Sequence, residues 1–181
     1  MSLDPAGAPI TTRRLKLVTL EAPFVDAITL GDRSAAERLL GARVSRSLAS
    51  DPSHIVQLDL AGRSAAAAGY PGFARLILLS RPIRQTIGSI GFHGPPDEAG
   101  RLEVGCRIHP AHHGSGYGAE ATTALLDWAT RQFGVTRFLL AVPWRQRTGR
   151  LVPIEIQTLS AARHEEIDGL GALLEGERPR A

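Results

Sequence analysis

The passage from Arg101 to Gly134 constrains the fold most, because it runs from a strand pattern through a glycine-rich turn into a helix pattern. In Arg101 to Ile108 (RLEVGCRI), alternate residues must face opposite sides of a sheet. Leu102, Val104, Cys106 and Ile108 form an apolar face. Arg101, Glu103, Gly105, Arg107 and His109 form a polar one. Cys106 is therefore expected in the core as a buried, inert thiol, turned away from His109. The turn HPAHHGSGYGAE follows. Beyond it Ala121, Ala124, Leu125, Trp128 and Ala129 recur at helical spacing and define one apolar stripe. Gly134 is placed to end that helix, and Val135 to Val142 (VTRFLLAV) reads as a further strand. A strand, a turn, a helix and a strand in this order predict a βαβ-like unit on a mixed sheet.

Upstream, Arg14 to Leu20 alternates as a first strand, and Pro23 to Leu30 and Asp32 to Leu40 read as short helices. Pro52 to Leu60 opens another helix that runs into the Ala-rich stretch Ala61 to Pro71. Phe73 to Leu79 and Gln85 to Phe92 are strands. The turn Gly94 to Gly100 (GPPDEAG) pairs Gln85–Phe92 with Arg101–Ile108 as a hairpin. The 181 residues suit one domain, expected over 11–181 behind a disordered leader at 1–10. The start MSLDPAGAPITTRR lacks the pattern of a signal peptide. No apolar run approaches the roughly 18 residues of a membrane span, so a cytoplasmic protein with no membrane partner is expected. A single cysteine excludes an internal disulfide framework and a multi-cysteine zinc site. The net charge is +3 with Lys16 the only lysine, and the arginines are scattered without interleaved aromatics. A nucleic-acid partner is therefore not expected.

Two features carry chemistry. Glu103 lies on the polar strand face, next but one to a glycine that leaves space beside it. A carboxylate there can take a proton from an amine, directly or through water; a solvated or Arg-paired surface glutamate fits the same position. Gly114, Gly116 and Gly118 permit backbone conformations closed to other residues and uncover the main chain. The helix that comes next presents its first amides and the positive end of its dipole. A strand, a glycine-rich turn and a helix N-terminus suit a diphosphate, with Ser115 and His113 as further donors. A P-loop is excluded, because Ala119-Glu120 stands where Lys-Ser or Lys-Thr is required. The G-x-G-x-G spacing late in the chain also departs from the dinucleotide fingerprint. A plain glycine turn stays open on these residues alone. His109, His112, His113 and His93 cluster in sequence or across the hairpin, but no Asp or Cys stands at a useful ligand spacing, so no metal is expected.

The run IGSIGFHGPPDEAGRLEVGCRIHPAHHGSGYGAEATTALLDWA resembles the central region of a GNAT (Gcn5-related) N-acetyltransferase. It is most similar to the branch of ribosomal-protein N-terminal acetyltransferases. The features are Glu103-Val104-Gly105, Pro110, the loop His113 to Gly118 and Glu120; TTRRLKLVTLEAPFVDAI resembles that family's first strand and helix. The likeness covers Thr11 to Val142. It implies an α+β fold: a mixed, largely antiparallel, splayed sheet flanked by helices. It implies acetyl-CoA as cosubstrate and no metal. Backbone amides near Arg107 and Ile108 would meet the pantetheine. His113, Gly114, Ser115, Gly116, Tyr117 and Gly118 would hold the pyrophosphate. Glu103 would be the general base for direct attack by a primary amine, from a small molecule or a protein N-terminus, in a ternary complex. A homodimer stays open, as does a non-catalytic acyl-CoA-binding module.

The chain departs from the family in three ways. His113 stands where Arg or Gln is usual. After Val142 the text PWRQRTGRLVPIEIQTLSAARHEEIDG lacks the usual Asn-x-x-Ser helix and Gly-Phe strand start, so residues 143–163 are atypical; divergence or a shifted reading frame would produce this. The usual tyrosine acid is missing from that segment, which leaves the proton donor unassigned.

Overall fold

The computed structural model describes residues 7–142 and 152–157. The chain opens with β1 (Ile10–Thr11), β2 (Leu15–Thr19) and four helices: α1 (Ala22–Thr29), α2 (Arg33–Leu40), α3 (Arg46–Ser50) and α4 (Ser53–Ala67). It continues with β3 (Ala74–Leu79), β4 (Gln85–Phe92), β5 (Arg101–Ile108), α5 (Tyr117–Phe133), β6 (Arg137–Val142) and β7 (Val152–Gln157). The helix ends obey local chemistry. Pro23 sits in the first turn of α1. The Ala35 N–H donates to Asp32 Oδ1 at 2.8 Å to start α2, and Gly41 at φ +60° ends it. Three elements were not expected: α3, β1, and β7, which pairs with β6 from Arg137↔Gln157 to Val142↔Val152. α3 is short and buries only Leu48, so no periodicity announces it. β1 has two residues and forms because Ile10 and Thr11 pair with Leu17 and Lys16.

Among the described residues, the strands form one sheet in chain order, β1 to β7. Every described pairing is antiparallel except β5 with β6, the junction that α5 bridges. This is the mixed, largely antiparallel α+β sheet expected. The hairpin β4–β5 pairs Phe92 with Val104 and Gly88 with Ile108. β3 is buried along its whole length, and so is almost all of β4, because helices cover both faces. On one face α5 lays Ala121, Leu125, Trp128 and Ala129 against Leu17, Ile77, Ile90, Phe92, Val104 and Phe138. On the other, α1 to α4 pack Phe24, Ile28, Ala36, Leu48, Ile55 and Leu58 against Ala74 and Leu76. Arg75 is fully buried; its Nε donates to the Gly72 carbonyl and its guanidinium lies 4.4 Å from the Trp128 ring centroid. Burial lowers its pKa to about 10. Among the described residues, no helix is long and apolar enough to cross a membrane. The atypical segment lies outside the described residues, apart from β7.

Candidate functional site

The site begins where two strands part. The β5–β6 pairing runs from Arg101↔Arg137 to Val104↔Leu140 and ends there, although β5 continues to Ile108 and β6 to Val142. β4 stays with β5 as far as Gly88↔Ile108. The result is a fork that opens towards the C-terminal ends of β5 and β6, beside the turn that enters α5. Gly88 holds the other side of β5 close: a Cβ there would collide with the Arg107 carbonyl oxygen.

The ladder decides which peptide groups face the fork. The His93 N–H donates to the Glu103 carbonyl, and the His109 N–H donates to the Ile87 carbonyl, both onto the hairpin side. Peptide groups alternate along a strand. Glu103, Gly105, Arg107 and His109 therefore turn their backbone to β4, while Val104, Cys106 and Ile108 turn theirs to the β6 side. This corrects one expectation. Ile108 is placed to meet a ligand in the fork through its backbone, but the Arg107 amide points into the hairpin. Cys106 is corrected too. It packs against the α5-side core but is only partly buried, because β6 leaves its flank after Val104.

At the mouth of the fork, Gly114 and Gly116 adopt φ of +76° and +73°, and Gly116 is the N-cap of α5. Both conformations strain any other residue, which accounts for glycine there. The loop is held from the turn between β1 and β2. Arg14 Nη1 donates to the Ser115 carbonyl at 2.8 Å, and its guanidinium lies 4.5 Å from the Tyr117 ring centroid. Glu120, in the first turn of α5, accepts from Arg14 Nε at 2.5 Å, from the Arg14 N–H at 2.9 Å and from Thr12 Oγ1 at 2.6 Å. Burial alone would raise the Glu120 pKa, but the bonds from Thr12 and Arg14 outweigh it and hold the carboxylate low. Glu120 thus fastens the helix start to the sheet. His113 behaves differently from the expected phosphate donor. Its Nε2 donates to the Ile108 carbonyl at 2.9 Å, so the ring ties the loop to the strand end.

On the opposite face of β5, Glu103 is exposed and its Oε1 lies 3.1 Å from His93 Nδ1. Arg107 is on the same face. It lines a cavity of about 210 Å³ with Ser47, Asp51, His54, Ser89 and His109. His109 Nε2 and Nδ1 sit 2.7 and 3.0 Å from the hydroxyls of Ser45 and Ser47. Burial, then the positive charge of His112, Arg107, His113 and His54, lowers its pKa to about 4. Burial likewise lowers that of His54. With His109 on serines and His113 on a carbonyl, the histidines do not converge. Among the described residues, no three His, Cys, Asp or Glu side chains are grouped to hold a metal ion.

The sequence singled out Glu103 and the loop and set His93 among the histidines across the hairpin, but not as the partner of Glu103, and it did not mark Arg14 or Thr12. The His93 signal was present: once the GPPDEAG turn fixes the hairpin, His93 stands across from Glu103. Arg14 carries no local signal, since its partner is 106 positions away.

Comparison with known proteins bears on this arrangement. Residues 32–146 match the family model described as the acetyltransferase (GNAT) domain. The chain is 28% identical over 130 residues to the uncharacterized N-acetyltransferase YjdG of Bacillus subtilis (strain 168), covering 71% of this chain and 76% of that protein. Among solved structures it is similar to the acetyltransferase from Agrobacterium tumefaciens str. C58, with TM-score 0.50, 25% identity and 81% of each chain covered. A protein described as a ribosomal-protein-serine acetyltransferase from Vibrio cholerae shares the fold at TM-score 0.50 and 18% identity, over 82% of this chain and 80% of that one.

Proposed function

Because the chain belongs to the GNAT acetyltransferase domain family, we propose that it transfers the acetyl group of acetyl-CoA to a primary amine, within a single domain over residues 11–181. The observation that carries this reading is the fork between β5 and β6, open beside a helix start held by Gly114 and Gly116 in left-handed conformations. These residues fit the donor. The helix dipole and first-turn amides suit a pyrophosphate over His113 to Gly118, and the Ile108 backbone faces the opened edge. When bound, the thioester supplies an activated acyl carbon.

The chain's own residues would bind, orient and remove a proton. Holding amine and acyl carbon together removes much of the barrier, and peptide dipoles aimed at the carbonyl favour the charge that develops there. Attack is direct, without an acyl-enzyme: the partly buried Cys106 is on the α5 face, away from Glu103. Glu103 is the carboxylate that serves removal of the amine's proton, directly, through water or through the group it is hydrogen-bonded to. The polar cavity beside Arg107, Ser89 and His54 is the reading for the acceptor. A ribosomal-protein-serine acetyltransferase with this fold keeps a protein N-terminus beside small amines as the acceptor class.

Calorimetric titration with CoA, and then an amine panel with acetyl-CoA, tests this function. Absence of CoA binding would end the reading. Binding without turnover of any amine would favour an acyl-CoA-binding module.

A further inference from the structure

We propose that the atom that accepts the amine's proton is Nε2 of His93, and that Glu103 is the residue that positions it. This rests on the fork being the acetyl-CoA site. Glu103 Oε1 lies 3.1 Å from His93 Nδ1. An ionised carboxylate only accepts, so Nδ1 carries the hydrogen and Nε2 keeps its lone pair. The same division of labour, a carboxylate fixing the tautomer of a base, recurs on unrelated folds.

Gly105 sets where Nε2 lies. A Cβ on that residue would collide with Nε2 and come within 3.1 Å of Cε1 and 3.3 Å of Cδ2. The ring therefore occupies the space of a missing side chain, one residue past Val104, the last residue of β5 paired with β6. A strand advances roughly 3.3 Å per residue. Gly105 is thus about 7 Å nearer than Glu103 to the Cys106–Ile108 backbone that faces the fork. The Glu103 carboxylate is turned onto His93 and starts further back, whereas Nε2 lies over Gly105, the first residue of β5 past its pairing with β6. Both side chains are about half exposed, at 45% and 50%, so an acceptor can approach and the proton can leave to solvent. His54 lines the cavity beside Arg107, and burial, then the charge of Arg107, lowers its pKa.

In the transfer step the acceptor nitrogen gives its proton to Nε2, and its electron pair forms the C–N bond to the acyl carbon. The C–S bond breaks, and its electrons leave on sulfur, which takes a proton from solvent. Nε2 then returns its proton to solvent.

Three measurements on the full chain test this. Calorimetry of the unaltered chain with CoA tests the acetyl-CoA reading alone, and a failure there is distinct from a failure of the His93 assignment. Nitrogen-15 spectra of the His93 ring, assigned with His93→Gln, should show the Nδ1–H tautomer, shifting towards Nε2–H in Glu103→Gln; an Nε2–H majority in the unaltered chain overturns the proposal. Steady-state transfer from acetyl-CoA to a Ser-initiated tetrapeptide and to spermidine gives the third. His93→Gln should lower kcat about 100-fold or more, with KM for acetyl-CoA within about twofold. The double variant with Glu103→Gln should be no slower than His93→Gln alone, since the two residues act as a unit. Retention of more than half of kcat by His93→Gln, with a large loss in Glu103→Gln, overturns it. If neither probe is acetylated, the tautomer measurement decides.

Discussion

Both ring nitrogens of His109 are bonded to serine hydroxyls, which joins α3 to the end of β5. Its folded pKa is about 4 against an ordinary 6.5, first through burial and then through nearby positive groups. Between these values the unfolded chain binds a proton that the folded chain refuses. Stability is therefore complete above about pH 6.5 and falls as pH drops towards about 4. His54, also lowered by burial, adds to the same trend. Urea midpoints measured across that window should decline towards acid, with a shallower decline in His109→Gln. Gly88 supports a second prediction at this scale. A methyl group there meets the Arg107 backbone, which cannot swing aside, so Gly88→Ala should cost about 1–3 kcal/mol in a denaturant titration. The place of Glu103 was legible because strand alternation assigns faces. The tilt of its carboxylate onto His93 was not, because that depends on space left by Gly105. The use of His113 on a strand carbonyl was equally hidden, since a sequence shows donors but not which acceptor lies nearest.

At the scale of elements, the hairpin β4–β5 was read to the residue, and α5 was read to its end at Gly134 but begins at Tyr117, inside the expected turn. Both have long periodic patterns bounded by glycine. What could not be read is how the start of α5 is held. Arg14 and Thr12 come from the β2 side of the sheet, and their convergence on Glu120 exists only after the sheet has formed. Arg14→Met should weaken CoA binding about 5- to 20-fold by calorimetry, through loss of charge-assisted bonds each typically worth about 1.5–3 kcal/mol and partly replaced by water. Gly116→Val should do more. It places a β-branched residue at φ +73° and so either displaces the helix start or strains it by about 1–2 kcal/mol; CoA affinity should fall at least about tenfold, while the far-ultraviolet spectrum changes little.

The described residues form a sheet with a core on each face. On the α5 face Phe73 is the hub, with ring centroids 4.5 Å from Phe92, 5.4 Å from Phe133 and 5.5 Å from Tyr70. Phe73→Ala should cost about 3–5 kcal/mol, read as a lowered urea midpoint with an unchanged slope. The residue patterns alone marked one hairpin and one strand–helix–strand unit; the fold class was legible through the resemblance of Thr11 to Val142 to a known family. The position of the fork was not, since no residue of RLEVGCRI or VTRFLLAV announces where their pairing stops. Strand order that matches chain order has a consequence for synthesis. Each strand up to β5 docks on an edge made by the strand before it, so a meander can assemble while the remainder is still being translated. β6, and β7 which pairs with it, must wait for α5 to cross the sheet. Pulse-labelled hydrogen exchange should find the amides of β2 to β5 protected before those of β6. The cleft is then a seam between strands that can pair as they emerge and strands that join only after a helix has crossed.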